Sequence, residues 1–210
     1  LFIMTLGASR HAFRKVVWNS SKEMWCQLHE AAFAFFGGVP ETIRLDNLRA
    51  GVVKPDVYDP QLNSLYAAML SHYCVVALPC RPYAPDLKGK VENQIGYTQE
   101  ALRGKRFDSI DLHNEFLTHW NQRWAFMRAH GTLKRRVCDL FAEEQPKLRA
   151  LPTRGFEYYR VLERRAHFDG YIEVDGAYYS VPLPCIGHTV IVHAGTTWLR
   201  VLDRTTHTLL

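Results

Sequence analysis

The segment Tyr83–Gln94 constrains the fold more than any other part of this 210-residue chain, because it specifies the start of a helix. Pro82 and Pro85 each bias the residue before them away from helical backbone angles. Asp86 then supplies a side-chain oxygen that can cap a helix N-terminus. From there on, apolar side chains recur at helical spacing, which predicts a helix with one buried face. The residues predicted for that face are Leu87, Val91, Ile95, Thr98 and Leu102.

Glu92 is the acid that this helix start presents. Each helical residue turns by about 100°, so Glu92 is expected at the rim of the buried face, next to Val91. A carboxylate in that position can point out of the helix start across a groove. Glu92 is therefore a candidate catalytic acid.

A second acid, Asp46, follows a short predicted strand, Thr42–Leu45. In an open α/β sheet, ligands bind in the crevice outside the carboxyl ends of the strands. A predicted helix (62–73) and a predicted strand, Val75–Leu78, separate Asp46 from the helix that carries Glu92. An alternation of strands and helices in this order can return Glu92 to the end of the sheet where Asp46 lies.

Five segments together resemble a known family. Leu45-Asp-Asn47, the approach Arg81–Asp86 and Gly89–Gln94 resemble the integrase-type catalytic core of DDE transposases, and in particular the insertion-sequence transposases of the IstA type. His130-Gly-Thr-Leu133 and Asp139–Glu144 resemble the segment that follows the core in the same family. The resemblance extends over most of the chain.

The order of predicted elements agrees with that family's fold class, which is α/β with an RNase H-like core. Two strands (1–6 and 12–18) and a helix (22–36) precede the alternating elements, and two further helices span 110–127 and 136–150. The segment Leu151–Gly155 breaks the helical pattern and is the predicted domain boundary. Beyond it, strands flank turns at Asp175-Gly176 and Gly195-Thr196.

The resemblance implies three regions. Residues 1–130 are expected to form an N-terminally truncated integrase catalytic core, 131–154 a helical connector, and 155–210 a small β-barrel domain. The first strand of the core is expected upstream of Leu1, together with the first of the family's three catalytic acids. The chain by itself is therefore expected to be inactive.

The family's chemistry explains why acids must converge. Clustered carboxylates repel one another unless a cation holds them, and Mg²⁺ prefers carboxylate oxygens. Two metal ions can activate the attacking oxygen and stabilise the leaving oxygen of a phosphoryl transfer. The resemblance implies that Asp46 and Glu92 are catalytic residues and ligands of two Mg²⁺, with Mn²⁺ as a substitute. From the residues alone, an alternative remains: Asp46 caps a turn and Glu92 pairs with Lys88 one turn earlier.

Basic and polar side chains near the helix start are candidates for contact with DNA. The predicted set is Lys88, Lys90, Asn93, Arg103, Lys105 and Arg106, with Arg164, Arg165 and Arg200 in the last 56 residues of the chain. A phosphate at the start of the helix would also meet free backbone N–H groups. Solvated lysines, and a local role for the asparagine, are the alternatives.

Composition permits this function without requiring it. Lys and Arg exceed Asp and Glu by 26 − 21 = 5, which allows an anionic partner. The five cysteines are scattered without a Cys-x-x-Cys pair, which favours reduced thiols in the cytoplasm over a disulfide framework. His72, Cys74 and Cys80 lack the paired spacing of a zinc site. The aromatic stripe from Trp120 to Trp124 is predicted to be core rather than a surface for stacking bases.

The resemblance implies a DNA transposase fragment that cleaves transposon-end DNA and joins it to target DNA by metal-dependent phosphoryl transfer. It also implies a homo-oligomer, a helper AAA+ ATPase, association with the bacterial nucleoid and no role at a membrane. An RNase H-like nuclease with the same metal ions is one alternative. A non-catalytic DNA-binding module with a decayed site is the other.

Overall fold

A computed structural model describes residues 1–19, 21–45, 52–54, 61–79, 89–131, 133–195 and 197–210, with the backbone alone at 52–54, 61–62, 79 and 89–91. The chain is a mixed α/β protein that divides into two compact units, Leu1–Gly155 and Phe156–Leu210. The assignment of 1–130, 131–154 and 155–210 to a catalytic core, a connector and a barrel domain stays a prediction.

The first unit begins with an antiparallel pair of strands, β1 (Phe2–Thr5) and β2 (Ala12–Lys15). The turn between them is fastened by a carboxylate that lies far along the sequence. Glu144 accepts hydrogen bonds from the backbone N–H of Ala8 at 2.9 Å and of Ser9 at 2.7 Å. Two turn donors that would otherwise need water are thereby satisfied within the protein.

Helix α1 (Lys22–Phe36) has the bounds that the sequence predicts. Ser21 caps its N-terminus by accepting a hydrogen bond from the backbone N–H of Met24 at 3.0 Å. Gly37 ends it in the left-handed conformation with φ of 70°, which glycine adopts without steric cost. Its apolar side packs on the hairpin of β1 and β2, in a cluster of buried side chains. That cluster contains Phe2, Leu6, Leu28, Ala32 and Phe36.

A parallel pair of strands forms the other sheet that concerns the site. Strand β3 (Thr42–Leu45) pairs with β6 (Val76–Pro79), with Leu45 opposite Pro79 at their carboxyl ends. Between them lie a short antiparallel pair, β4 (Val52–Lys54) and β5 (Gln61–Leu62), and helix α2 (Ser64–His72). The order strand, helix, parallel strand is the one predicted from the sequence.

Three helices complete the first unit: α3 (Gly89–Leu102), α4 (Ile110–Trp120) and α5 (Val137–Glu144). The sequence predicts longer helices for the last two. Instead, α4 passes into a π-helical turn at Asn121–Ala125, and α5 passes into a 3₁₀ turn at Gln145–Lys147 that contains Pro146. Proline cannot donate to a helical hydrogen bond, which explains the end of α5.

The second unit consists of short antiparallel strands. Strands β7 (Tyr159–Arg165), β10 (Thr189–Gly195) and β11 (Leu199–Asp203) form a sheet in the order β11-β10-β7. Strands β8 (Tyr171–Val174) and β9 (Ala177–Ser180) form a separate hairpin. Asp175 and Gly176 both have positive φ in its turn, as the sequence predicts.

The predicted small β-barrel is not what the described strands form. Within 156–195 and 197–210, the three-stranded sheet and the hairpin are separate and do not close into a barrel. Ile172 and Val174 of the hairpin instead share a buried cluster with Val190 and Val192 of the sheet. Burying one apolar face of each sheet against the other covers the core without closing the strands into a ring.

No helix among the described residues is both long enough and apolar enough to cross a membrane.

Candidate active site

The carboxyl ends of β3 and β6 define the edge of the sheet where the site is predicted. Because the two strands are parallel, their ends lie at the same edge, with Leu45 beside Pro79. Asp46 is the next residue in sequence after Leu45, and Asn47 follows it. Both lie outside the described residues, so their predicted roles stay predictions.

Glu92 lies in the first turn of α3 and is exposed to solvent. Its carboxylate makes no ion pair or hydrogen bond with any other residue in the described part of the chain. Asn93 beside it is exposed as well. Lys88, the alternative partner predicted for Glu92, lies outside the described residues.

The buried face of α3 is polar, and of the predicted stripe Thr98 is confirmed as buried whereas the prediction for Ile95 is wrong. Gln94 is 3% exposed and Thr98 is fully buried, whereas Ile95 is 36% exposed. Glu92 lies two residues before Gln94 and therefore points about 160° away from it around the helix. Glu92 is thus on the outer side of α3 rather than at the rim of a buried apolar face.

The reason for this polar face is Arg14 on β2, which is only 7% exposed. Arg14 Nε donates to Thr98 Oγ1 at 2.8 Å, and Nη2 donates to Gln94 Oε1 at 2.5 Å. Arg14 Nη1 donates to Asn121 Oδ1 at 2.6 Å and to the backbone oxygen of Ala12 at 3.1 Å. Burial lowers the pKa of Arg14 to about 10.

Aromatic rings join the same three elements. The guanidinium carbon of Arg14 lies 5.0 Å from the ring centre of Trp120, at the end of α4. Trp120 meets Tyr97 of α3 with ring centres 4.9 Å apart, and the guanidinium of Arg128 lies 4.3 Å from the Tyr97 ring. In the stack Arg128–Tyr97–Trp120–Arg14, a guanidinium lies over an aromatic ring at each end. Cations are attracted to the faces of aromatic rings, so these contacts stabilise the stack.

The residues predicted to contact DNA differ in whether their charged groups already have partners within the protein. Lys88 lies outside the described residues, and only the backbone of Lys90 is described. Arg103 is exposed but forms an ion pair with Glu100 at 2.9 Å.

Two further cations follow the end of α3. The ammonium of Lys105 lies 5.1 Å from the ring centre of Phe116. Arg106 is exposed, and it has no ion pair or hydrogen bond with another described residue.

The three arginines predicted in the second unit are on different faces of its sheet. Arg164 is held by the backbone oxygen of Glu173 at 3.0 Å, through its Nε. Arg165 Nε donates to the backbone oxygen of Gly187 at 3.1 Å. Arg200 lies over the ring of Trp198, 4.6 Å from its centre. Arg164 pairs with Val190 on the neighbouring strand and therefore lies on the same face of the sheet, which is the buried one. Arg165 and Arg200 lie on the other face.

The aromatic stripe of α4 is only partly core, contrary to the prediction. Leu117 is 1% exposed, but Trp124 is 68% exposed and Met127 is 54% exposed. The inward positions after Trp120 are instead taken by Asn121 and Ala125. Leu117, Asn121 and Ala125 follow one another at intervals of four residues, and Trp124 lies one position off this inward face.

Of the two predicted metal ligands, Glu92 alone lies among the described residues. A carboxylate such as that of Glu92 is a ligand that Mg²⁺ prefers, and its exposure and lack of a described partner leave it available. Among the residues that the structure describes, no group of three or more His, Cys, Asp or Glu side chains could hold a metal ion. His72 Nε2 is bonded to the backbone oxygen of Arg154 at 2.9 Å.

Sequence reasoning missed Arg14 and the inward role of Gln94. A charged residue in a predicted strand and an amide in a catalytic motif are both ordinarily taken as exposed. The available signal was the pair Gln94 and Thr98, whose spacing of four residues places two hydrogen-bonding side chains on one helical face.

Comparison with known proteins relates nearly the whole chain to transposases. It is 38% identical over 200 residues to the Mycobacterium tuberculosis protein Rv3428c, assigned as a transposase, covering 93% of this chain and 48% of that protein. It is 33% identical over 192 residues to the transposase for insertion sequence element IS21 of Pseudomonas aeruginosa, covering 90% of this chain and 49% of that protein. The chain thus spans about half the length of these curated relatives.

Residues 151–208 match the family described as Mu transposase, C-terminal domain. One solved structure, a simian T-cell lymphotropic virus intasome in complex with PP2A regulatory subunit B56 gamma, covers 91% of this chain and 68% of that chain, at 14% identity and a TM-score of 0.49. That similarity is too weak to carry an argument.

The chain is thus similar over most of its length to transposases of insertion sequences. This similarity, which includes the transposase of IS21, agrees with the resemblance to IstA-type transposases that its motifs predict.

Proposed function

We propose that this chain is the catalytic segment of a DDE-type DNA transposase with an RNase H-like core. The observation that carries the proposal is the parallel pairing of β3 with β6, since Asp46 follows the carboxyl end of β3 at the edge from which the chain continues to α3. The exposed carboxylate of Glu92 in the first turn of α3, which has no partner among the described residues, supports it. The similarity to transposases supports the same assignment.

Asp46 and Glu92 are the proposed ligands of two Mg²⁺ ions, for which Mn²⁺ would substitute. When bound, such ions supply activation of the attacking oxygen and stabilisation of the leaving oxygen. The outward position of Glu92 leaves its oxygens open to a metal ion and to the DNA phosphate. The buried side of the same helix is occupied by Arg14 and is closed to both.

The proposed substrates are transposon-end DNA, which is cleaved, and target DNA, to which the freed 3′ end is joined. A homo-oligomer and a helper AAA+ ATPase are proposed from the resemblance to IstA-type transposases. Lys88, Lys90, Asn93, Arg103, Lys105 and Arg106 are the proposed DNA contacts of the first unit. Their position at the start and just after the end of α3 supports contact on both sides of Glu92.

Arg106 provides a specific test of the DNA contacts. Arg106→Ala is expected to weaken binding to duplex ends and to reduce the slope of log affinity against log salt by about 1, because one phosphate contact releases about one counterion. Fluorescence anisotropy with labelled transposon-end duplexes across a salt series measures both quantities. Arg135→Ala is a matched control, because Arg135 is exposed but already paired with Glu143. An equal slope in Arg106→Ala and the parent would contradict the contact.

The reaction products test the function itself. The protein is prepared as the 210-residue chain and also extended to the length of its relatives, and is incubated with end duplexes, target DNA and Mg²⁺. Covalent joining of an end to the target is the expected result for the extended form, and its abolition by Asp46→Asn ties the chemistry to the proposed site. Hydrolysis without joining would instead identify a nuclease. Binding without any cleavage would identify a DNA-binding module.

A further inference from the structure

We infer that Arg14 is a positioning residue that fixes the rotation of α3 and thereby the direction of the Glu92 carboxylate. The inference rests on the proposed function, in which Glu92 binds the catalytic metal. The structure assigns to Arg14 an unusual environment for a buried cation. All four of its hydrogen-bond acceptors are neutral oxygens, and within the described residues no carboxylate is paired with it.

A buried guanidinium depends on every one of these acceptors. Removing a charge from water is costly unless hydrogen bonds replace its hydration. Thr98 and Gln94 satisfy Arg14 from α3, and Asn121 satisfies it from the turn after α4. These acceptors must therefore stay where the guanidinium can reach them, which restricts the movement of α3 against β2.

The contact with Gln94 is specific for the rotation of α3. If α3 turned by one residue, either Asn93 or Ile95 would face Arg14 in place of Gln94. The Asn side chain is shorter by one methylene, and the Ile side chain has no acceptor at all. Only the observed rotation gives Arg14 an amide oxygen at this depth, and that rotation directs Glu92 outward.

Gln94 is itself held in one orientation. Its Oε1 accepts from Arg14, and its Nε2 donates to the backbone oxygen of Arg10 at 3.3 Å. Thr98 Oγ1 accepts from Arg14 and donates to the backbone oxygen of Gln94 at 2.6 Å. The amide and the hydroxyl are thus both used as donor and acceptor, so neither can turn without losing a hydrogen bond.

The aromatic stack restrains the same helix from a second side. Tyr97 of α3 lies between Trp120 and the guanidinium of Arg128, and Trp120 in turn contacts Arg14. Arg14 therefore meets α3 directly through hydrogen bonds and indirectly through two rings. The result is a closed set of contacts around the helix that carries Glu92.

This arrangement explains why an arginine is needed at position 14. A guanidinium presents five N–H donors in a rigid planar fork, whereas a lysine ammonium is a single point with three donors. Acceptors on three separate elements match the fork. Arg14→Lys keeps the charge but is expected to lose the fixed rotation of α3.

The test compares two readouts in the form of the protein that joins DNA. Arg14→Lys and Gln94→Met are expected to lower the single-turnover joining rate at saturating DNA by on the order of 10- to 100-fold, because small displacements of a catalytic group have effects of this size. The DNA concentration for half saturation is expected to stay at the parent value. Hydrogen exchange is expected to show faster exchange of the α3 amides, with the amides of α1 unchanged.

Leu117→Ala is the matched control for a purely structural effect, because Leu117 is 1% exposed in the same unit and does not contact Arg14 through a hydrogen bond. It is expected to lower thermal stability without a comparable fall in joining rate. If Arg14→Lys fails to fold, Gln94→Met tests the positioning role by itself. It removes one hydrogen-bond acceptor of Arg14 and keeps a side chain of similar volume.

A joining rate in Gln94→Met equal to that of Leu117→Ala would overturn the positioning role. A Gln94→Met variant that loses only DNA affinity and keeps the parent joining rate would also overturn the positioning role. Failure of the proposed function is separately visible, because in that case Glu92→Gln would join DNA as well as the parent does.

Discussion

Replacing Glu92 by Gln is expected to abolish DNA joining, lowering the rate by on the order of 10³-fold or more, as for other residues that act directly in catalysis. An amide keeps the size of the side chain but removes the negative charge that holds a divalent cation. Because Glu92 is exposed and has no described partner, the substitution is expected to change the free energy of unfolding by less than about 0.5 kcal/mol. Single-turnover assays with Mg²⁺ measure the rate, and thermal unfolding checks the fold.

Glu100→Gln is the control for this prediction. Glu100 lies on the same helix and is exposed, but its carboxylate is paired with Arg103 and lies two turns further from the helix start. Joining by this variant is expected to proceed at the parent rate. If Glu92→Gln joins DNA as fast as Glu100→Gln does, then Glu92 is not a metal ligand and the proposed site is wrong.

Acid is expected to destabilise the first unit through two buried histidines. Burial lowers the pKa of His11 and of His29 to about 4, from an ordinary value of 6.5. Below pH 6.5 the unfolded chain therefore binds protons that the folded chain does not. The contribution of the two histidines to the free energy of unfolding is fully present above that pH and is lost as the pH falls to about 4. Each histidine is expected to account for a loss on the order of 3 kcal/mol.

The surroundings of His11 explain why it stays neutral. Its ring lies within 4.6 to 4.9 Å of the ring centres of Phe35, Phe126 and Phe141. The positive charge of Arg14 lowers its pKa further, and the carboxylate of Glu144 acts in the opposite direction but is outweighed.

Urea unfolding between about pH 7 and about pH 4.5 measures the effect of the histidines. His11→Phe fits the aromatic surroundings and is expected to give a shallower fall in stability with pH than the parent. Parallel pH profiles for the two proteins would show that His11 does not contribute.

The sequence predicted the regular elements well because their signals are local. Ser21 and Gly37 mark the two ends of α1, and Asp175-Gly176 marks the turn of the hairpin of β8 and β9. The parallel strands β3 and β6 were also predicted in the correct order. Each of these depends on backbone preferences of a few neighbouring residues.

The arrangement around the candidate site could not be predicted in the same way. Periodicity assigns apolar residues to the inside, so it placed Ile95 inside α3 and left Gln94 outside, whereas the structure has the reverse. The inside of α3 is decided by Arg14, which is 84 residues away from Thr98 in sequence. A buried charge requires polar partners, and nothing near α3 in sequence reveals that a charge lies opposite it.

The strands of the second unit show a related difficulty. Alternating apolar residues correctly predicted β8, β9, β10 and β11, but the same alternation fits both a closed barrel and two packed sheets. The choice depends on which strands pair, and pairing over long sequence separations has no local signal. Strand β7 was not predicted, because its sequence Tyr-Arg-Val-Leu-Glu-Arg-Arg is mostly charged.

The hydrogen bonds from Ala8 and Ser9 to Glu144 have a consequence for synthesis of the chain on the ribosome. They join residues 136 and 135 positions apart, and the backbone bonds between Val39 and Arg149 join another distant pair. Contacts of such separation form slowly, because a long loop must close before they are gained. The hairpin of β1 and β2 is translated well before the segment of Glu144, so its turn stays unfastened until that segment has been made. Phe141 and Leu148, which pack against the apolar cluster of the hairpin and α1, belong to the same late segment, so that part of the cluster is expected to be open to chaperones until then.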